Sequence, residues 1–133
     1  WCDYPNDDGE WAAGMDQTLG RLAPLTPNLV VLGDNPPAED LPASCLSRHL
    51  NSADACTAEP VDVVPASRLA VERTAAGAHG ATFIDTTDWF CTPDGCPVMI
   101  GDILLYRYVT HITTVAAEWF QPLLAASLAP LLP

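Results

Sequence analysis

The sequence contains no lysine. Its five basic residues are all arginines (Arg21, Arg48, Arg68, Arg73 and Arg107), set against 17 acidic residues for a net charge of −12. Affinity for a phosphate backbone comes from clustered Lys and Arg, so nucleic acid is excluded as an expected partner. The same deficit argues against anionic membrane surfaces. A long hydrophobic run is also missing. The stretch Leu123–Pro133 is apolar, but it is short and broken by prolines, well under the roughly 20 residues a membrane-spanning helix needs. Nor is there a signal-peptide pattern, because the chain opens on Trp1 and not on a charged segment followed by an apolar one. Short paired metal-ligand spacings are absent, and no metal or cofactor is expected.

What is present fits one small domain. The 133 residues are 49% hydrophobic and include four tryptophans, enough to fill a modest core and too apolar for a disordered acidic chain. The five cysteines form an odd set. Cys45 and Cys56 have C-x10-C spacing, and Cys91 and Cys96 have C-x4-C spacing. These spacings favour two local disulfides and hence an oxidising compartment. Five free buried thiols in a cytosolic protein, or a Cys/His metal site, are the alternatives. Cys2 has no nearby mate, so a cysteine outside this chain is its expected partner. Export requires a signal or membrane segment, so the chain reads as a mature part or fragment of a longer protein.

Periodicity supplies the elements. A first helix is expected from about Asp8 to Ala23, capped by Asn6, Asp7 or Asp8, with Trp11, Met15, Leu19 and Leu22 at helical spacing. Pro24 and Pro27 end it. Leu29–Leu32 is a continuous apolar run, as in a parallel strand buried on both faces. Residues 34–64 read as a long loop that the 45/56 pair can staple. A second helix is expected over Pro65–Ala78, with Leu69, Glu72, Arg73 and Ala76 on a partly polar face and Gly77 and Gly80 closing it. Ala81–Asp85 reads as another buried strand. Residues 89–96 are turn-rich. Val98–Ile100 and Ile103–Tyr106 suggest a hairpin or one bulged strand. A last helix is expected to start near His111 or Thr113, with Ile112, Val115, Ala116, Trp119, Phe120, Leu123 and Leu124 at helical spacing and Pro122 kinking or ending it. The order is that of an α/β protein.

In α/β sheets chemistry gathers past the carboxyl ends of strands. Three segments qualify: 33–37, 85–88 and 106–111. His111 is the sharpest candidate, since a histidine beside a helix start can serve as general base near neutral pH. A capping or turn-filling histidine is the plainer alternative. Asn35 can donate to a developing oxyanion, or be ordinary turn chemistry before Pro36. His49 and His79 read as surface residues. Asp85 and Asp88 read as arginine partners or turn caps.

Three stretches then resemble a family. Leu29–Asn35 is similar to the strand ending in Gly-x-Asn of SGNH (GDSL-type) hydrolases. Residues 83–107, with the short Cys91–Cys96 bridge, resemble a stretch of the SGNH domains joined to bacterial acyltransferase-3 membrane proteins. Tyr106–Thr113 resembles the block Tyr-x-Asp-x-x-His-Leu-Thr, with Tyr108 where the block carries Asp. No Gly-Asp-Ser, the family's nucleophile block, occurs in the chain. The resemblance implies a partial SGNH-like (flavodoxin-like) α/β three-layer sandwich with a mostly parallel sheet and disulfide-stapled loops, its first strand and nucleophile block lying before Trp1. It implies His111 as base, Asn35 as oxyanion donor, Tyr108 in the vacated orienting position, and Gly33 and Asp34 at the substrate. The implied function is the extracytoplasmic part of a cell-envelope O-acyltransferase or esterase. The partners would be an acyl donor and a glycan acceptor, with a tether to a membrane acyltransferase domain. The rival reading is a catalytically inactive, disulfide-stabilised secreted binding module.

Overall fold

The computed structural model describes residues 7–132; Asn6 and Cys2, with its expected external partner, lie outside them. In chain order the elements are α1 (Asp8–Leu22), β1 (Val30–Leu32), α2 (Pro42–Arg48), α3 (Pro60–Val63), α4 (Ala66–Ala78), β2 (Thr82–Ile84), α5 (Thr87–Phe90), β3 (Met99–Ile100), β4 (Ile103–Leu104) and α6 (Thr114–Leu128). This is an α/β chain with a parallel sheet, helices and two disulfides, consistent with the flavodoxin-like fold expected of an SGNH domain. No helix among the described residues is long and apolar enough to cross a membrane. The chain divides into two compact units, residues 1–34 with 65–85, and residues 35–64 with 86–133.

In the first unit α1 and α4 pack on each other, and α4 lies against a two-stranded sheet. Asp7 caps α1, its Oδ1 accepting from Gly9 N at 2.7 Å, and Asp8 and Glu10 place negative charge in the first turn. β1 and β2 run parallel, Val31 opposite Phe83. The expectation that the first strand is buried on both faces and the second is buried is corrected: Leu32 is 48% exposed and Thr82 is exposed. Among the described residues β1 pairs with β2 alone, so the sheet is too narrow to cover its own strands. The apolar interior is small: Leu19, Leu69, Ala75, Ala76 and Ile84.

Polar contacts supplement that interior. Arg68 Nε meets Asp8 Oδ1 at 3.0 Å, and its guanidinium lies 4.8 Å over the Trp11 ring. Trp11 Nε1 donates to Glu72 Oε1 at 3.1 Å. Arg73 pairs with Asp85 at 2.7 Å, as expected for that aspartate. His79, expected on the surface, is half-buried. It follows the end of α4, where its Nε2 lies 2.7 Å from Asp16 Oδ1 on α1 and its ring comes close to Gly20.

In the second unit, the expected long loop holds three short helical segments: α2, a 3-10 turn at Ala53–Cys56, and α3. Pro42 and Pro60 start the two helices, where a missing N–H costs nothing. At seven and four residues, α2 and α3 are too short to show periodicity. Cys45–Cys56 ties α2 to the 3-10 turn, and Cys91–Cys96 closes the turn after α5. β3 and β4 form a hairpin around Gly101-Asp102, with Ile100 opposite Ile103. Gly101 has φ +60 and, among the described residues, no non-glycine residue has positive φ, so the left-handed residue is the first of the two, as a II′ turn requires.

The last helix starts at Thr114, which selects Thr113 over His111 of the two expected starts. Thr113 is its cap: Thr113 Oγ1 accepts from Ala116 N at 3.0 Å and donates to Leu104 O at 2.7 Å. Pro122 does not end it; α6 continues through the proline to Leu128. Of the seven residues expected on its apolar face two are buried, Ala116 and Phe120; Ile112 and Leu124 are half-buried, and Val115, Trp119 and Leu123 are exposed. The unit's core joins Phe90, Phe120, Leu105, Tyr106, Val98, Val63 and the buried Cys91–Cys96 pair. The Phe90 and Phe120 rings lie 4.5 Å apart, tilted at 46°, a favoured aromatic geometry.

Candidate active site

The candidate base sits on a five-residue excursion between β4 and α6. Tyr106 and Ile112 form an antiparallel bridge that closes it. Arg107 N donates to His111 O at 2.7 Å, and Thr113 N donates to Leu105 O at 2.9 Å. The loop is therefore tied at its neck and carries Arg107, Tyr108, Thr110 and His111 outward, all exposed.

A second strap holds the loop from the side. Ala38 N donates to Val109 O at 2.7 Å. The Tyr106 hydroxyl, buried, donates to Pro36 O at 2.9 Å, and burial pushes its phenol well above the ordinary value, so it stays a neutral donor. Asn35 Nδ2 donates to Pro36 O at 3.2 Å and to Thr110 O at 3.4 Å. Pro36 and Tyr106 are among the most completely buried side chains in the chain. Segment 35–38 and loop 106–111 thus form one braced structure, although some 70 residues separate Tyr106 from Pro36.

Within this brace the structure places the expected residues as follows. His111 Nδ1 lies 3.1 Å from the Thr110 hydroxyl. Tyr108, expected in the orienting position, meets His111 ring to ring, edge-on, with centroids 6.4 Å apart. Arg107 lies 5.8 Å over the Tyr108 ring. Asn35 reaches the same loop through the Thr110 carbonyl. The unit therefore brings Asn35, Tyr108 and His111 together.

Gly33 and Asp34 belong to the first unit. Gly33 N donates to Ile84 O at 2.9 Å at the end of β1. A side chain there would sit 3.0 Å from the Phe83 ring and 3.3 Å from Ile84 O and Leu69, so close approach keeps this position to glycine. Asp34 is exposed and adds to the field at Glu72. Glu72 is buried, and its carboxyl is raised above the usual range chiefly by desolvation, with Asp34 and Asp85 adding to the rise and the Trp11 bond and Arg68 opposing it. Its Oε2 has no hydrogen-bond partner among the described residues.

Sequence reading missed Thr110 and the Pro36–Tyr106 strap. A threonine next to a histidine carries no pattern of its own, and a tyrosine–carbonyl bond of such separation has none either. His49 is exposed at the end of α2. Asp88 lies in the first turn of α5. Among the described residues no group of three His, Cys, Asp or Glu gathers as a metal site.

Comparison with known proteins adds the family. No curated protein and no solved structure matches the chain. A family model described as "SGNH domain (fused to AT3 domains)" matches residues 3–126. The strand ending at Gly33, the Cys91–Cys96 turn and the braced His111 loop all fall inside that span, and the chain belongs to the family of SGNH domains that are fused to AT3 domains.

Proposed function

We propose that the chain is the extracytoplasmic part of a cell-envelope O-acyltransferase or esterase that acts on acyl esters of glycans and is tethered to a membrane acyltransferase domain. The observation that carries this reading is the bracing of Asn35 and His111 onto one loop system in a chain of this family. The two disulfides support an oxidising compartment. A serine nucleophile, supplied by sequence outside these 133 residues, attacks the acyl carbonyl carbon. Its proton passes to His111 Nε2, and the ester C–O bond breaks as that proton moves to the departing alcohol. A glycan hydroxyl or water then takes the acyl group by the reverse steps. Asn35 Nδ2 serves the oxyanion by exchanging its long 3.4 Å contact with Thr110 O for the developing charge.

One pair of observations favours the rival, a catalytically inactive binding module: Tyr108 stands where a carboxylate would stabilise the imidazolium, and the chain has no Gly-Asp-Ser. The experiment is hydrolysis of p-nitrophenyl acetate by the 133 residues alone and by the full-length protein. Turnover is expected from the full-length protein only. Serine-dependent turnover by the 133 residues alone would contradict the assignment of the nucleophile to sequence outside them. Absence of turnover from both, with glycan acyl transfer also absent, would favour the binding module.

A further inference from the structure

We propose that Thr110 is the positioning residue for His111: its hydroxyl accepts from Nδ1–H and so leaves Nε2 as the open, basic nitrogen. The inference rests on reading His111 as the base. Three observations carry it. The atom facing Nδ1 is Thr110 Oγ1 at 3.1 Å, whereas the Tyr108 ring stands edge-on with its centroid 6.4 Å away. The Thr110 backbone is fixed from outside the loop, because Asn35 Nδ2 donates to its carbonyl and Ala38 N donates to the carbonyl just before it. Thr110 is exposed, so a hydroxyl that accepts from the imidazole has water to which it can donate its own proton.

A neutral imidazole carries one N–H, and its tautomer is set by the bond that the other nitrogen makes. Free histidine in water favours Nε2–H, which would hide the lone pair a base needs. A hydroxyl acceptor at Nδ1 reverses that preference. When Nε2 takes a proton, Nδ1 remains a donor and the same bond persists through the cycle. The hydroxyl supplies direction without the negative charge a carboxylate adds. Asn35 then acts in sequence: through Thr110 O it sets the ring before reaction, and when it gives up that contact for the oxyanion the Ala38–Val109 bond still holds the loop.

The test reads the tautomer on this chain without any turnover. Long-range 15N–1H correlation of the imidazole, at a pH where His111 is neutral, is expected to show Nδ1–H as the major form. Thr110→Val, which keeps the shape, is expected to shift the ratio several-fold toward Nε2–H, and Thr110→Ser to restore it. A wild-type spectrum dominated by Nε2–H overturns the proposal whatever the variants do. An Nδ1–H form that persists in a folded Thr110→Val chain overturns the role of Thr110. Loss of the catalytic reading shows elsewhere, as full-length His111→Ala protein that still transfers acyl groups, so the two failures are distinguishable.

Discussion

The two units hold themselves together by different means. The first buries five apolar side chains, three of them no larger than Ile or Leu and two alanines, and surrounds them with ion pairs, an indole–carboxylate bond and a guanidinium over a ring. The second buries an aromatic cluster and two disulfides. The loop bearing His111 belongs to the second, where apolar burial and covalent links act independently of pH. The comparison teaches that placement of the candidate base is insulated from titration, while the α1–α4 pairing is not.

The largest effect should come from the aromatic cluster. Phe120→Ala removes a ring that touches Phe90 and Trp89, and should cost about 3–5 kcal/mol in the second unit, read by chemical denaturation. A loss below about 1 kcal/mol would erase the contrast between the units. Next is the covalent link. Replacing Cys45 and Cys56 together by Ser should cost about 3 kcal/mol, from the chain entropy of a loop of this length. Amide exchange should rise first in α2 and Ala53–Cys56, and faster exchange confined to α1 and α4 would break the comparison.

The smallest effect concerns pH and the first unit. Burial raises the Glu72 carboxyl, so the folded state holds a proton that the unfolded state gives up. Stability from this group is full below the ordinary carboxylate range, and falls as pH rises from that range through the raised value. Glu72→Gln cannot titrate. Relative to it, wild-type protein should lose melting temperature as pH rises from the ordinary carboxylate range through the raised value, while the other carboxylates cancel in the difference. Parallel pH profiles would show that Glu72 is not buried as an acid.

Much of this contrast was legible in the sequence, for physical reasons. α1 and α4 carry full-length amphipathic patterns, and the observed Asp8–Leu22 and Ala66–Ala78 lie within a residue of the expected limits. The cysteine spacings gave both disulfides, because a bridge across a short loop needs only local geometry. The hairpin was readable from Gly101 between two apolar runs. The helices inside 34–64 were not, since four to seven residues give no repeat. The start of α6 was readable as His111 or Thr113, and the structure selects Thr113: the apolar pattern begins at Ile112, and only the bonds of Thr113 mark the cap. Strand burial was overestimated because an apolar run reports what a strand tolerates, not how wide its sheet is. At the site, His111, Asn35 and Tyr108 were singled out from stretches that resemble the family's blocks, and the structure brings the three together. Thr110 and the Tyr106–Pro36 strap were not, because each is a contact made by folding.

The central claim is that His111 moves the proton in acyl transfer, and it is tested most directly in the full-length protein. Acyl transfer to glycan, or release of the acyl group to water, should be measured for wild type and His111→Ala, with folding checked by circular dichroism. Removing a general base costs about 100- to 10,000-fold. A loss in that range, with the fold intact, is the predicted result. Wild-type rates in His111→Ala would contradict it.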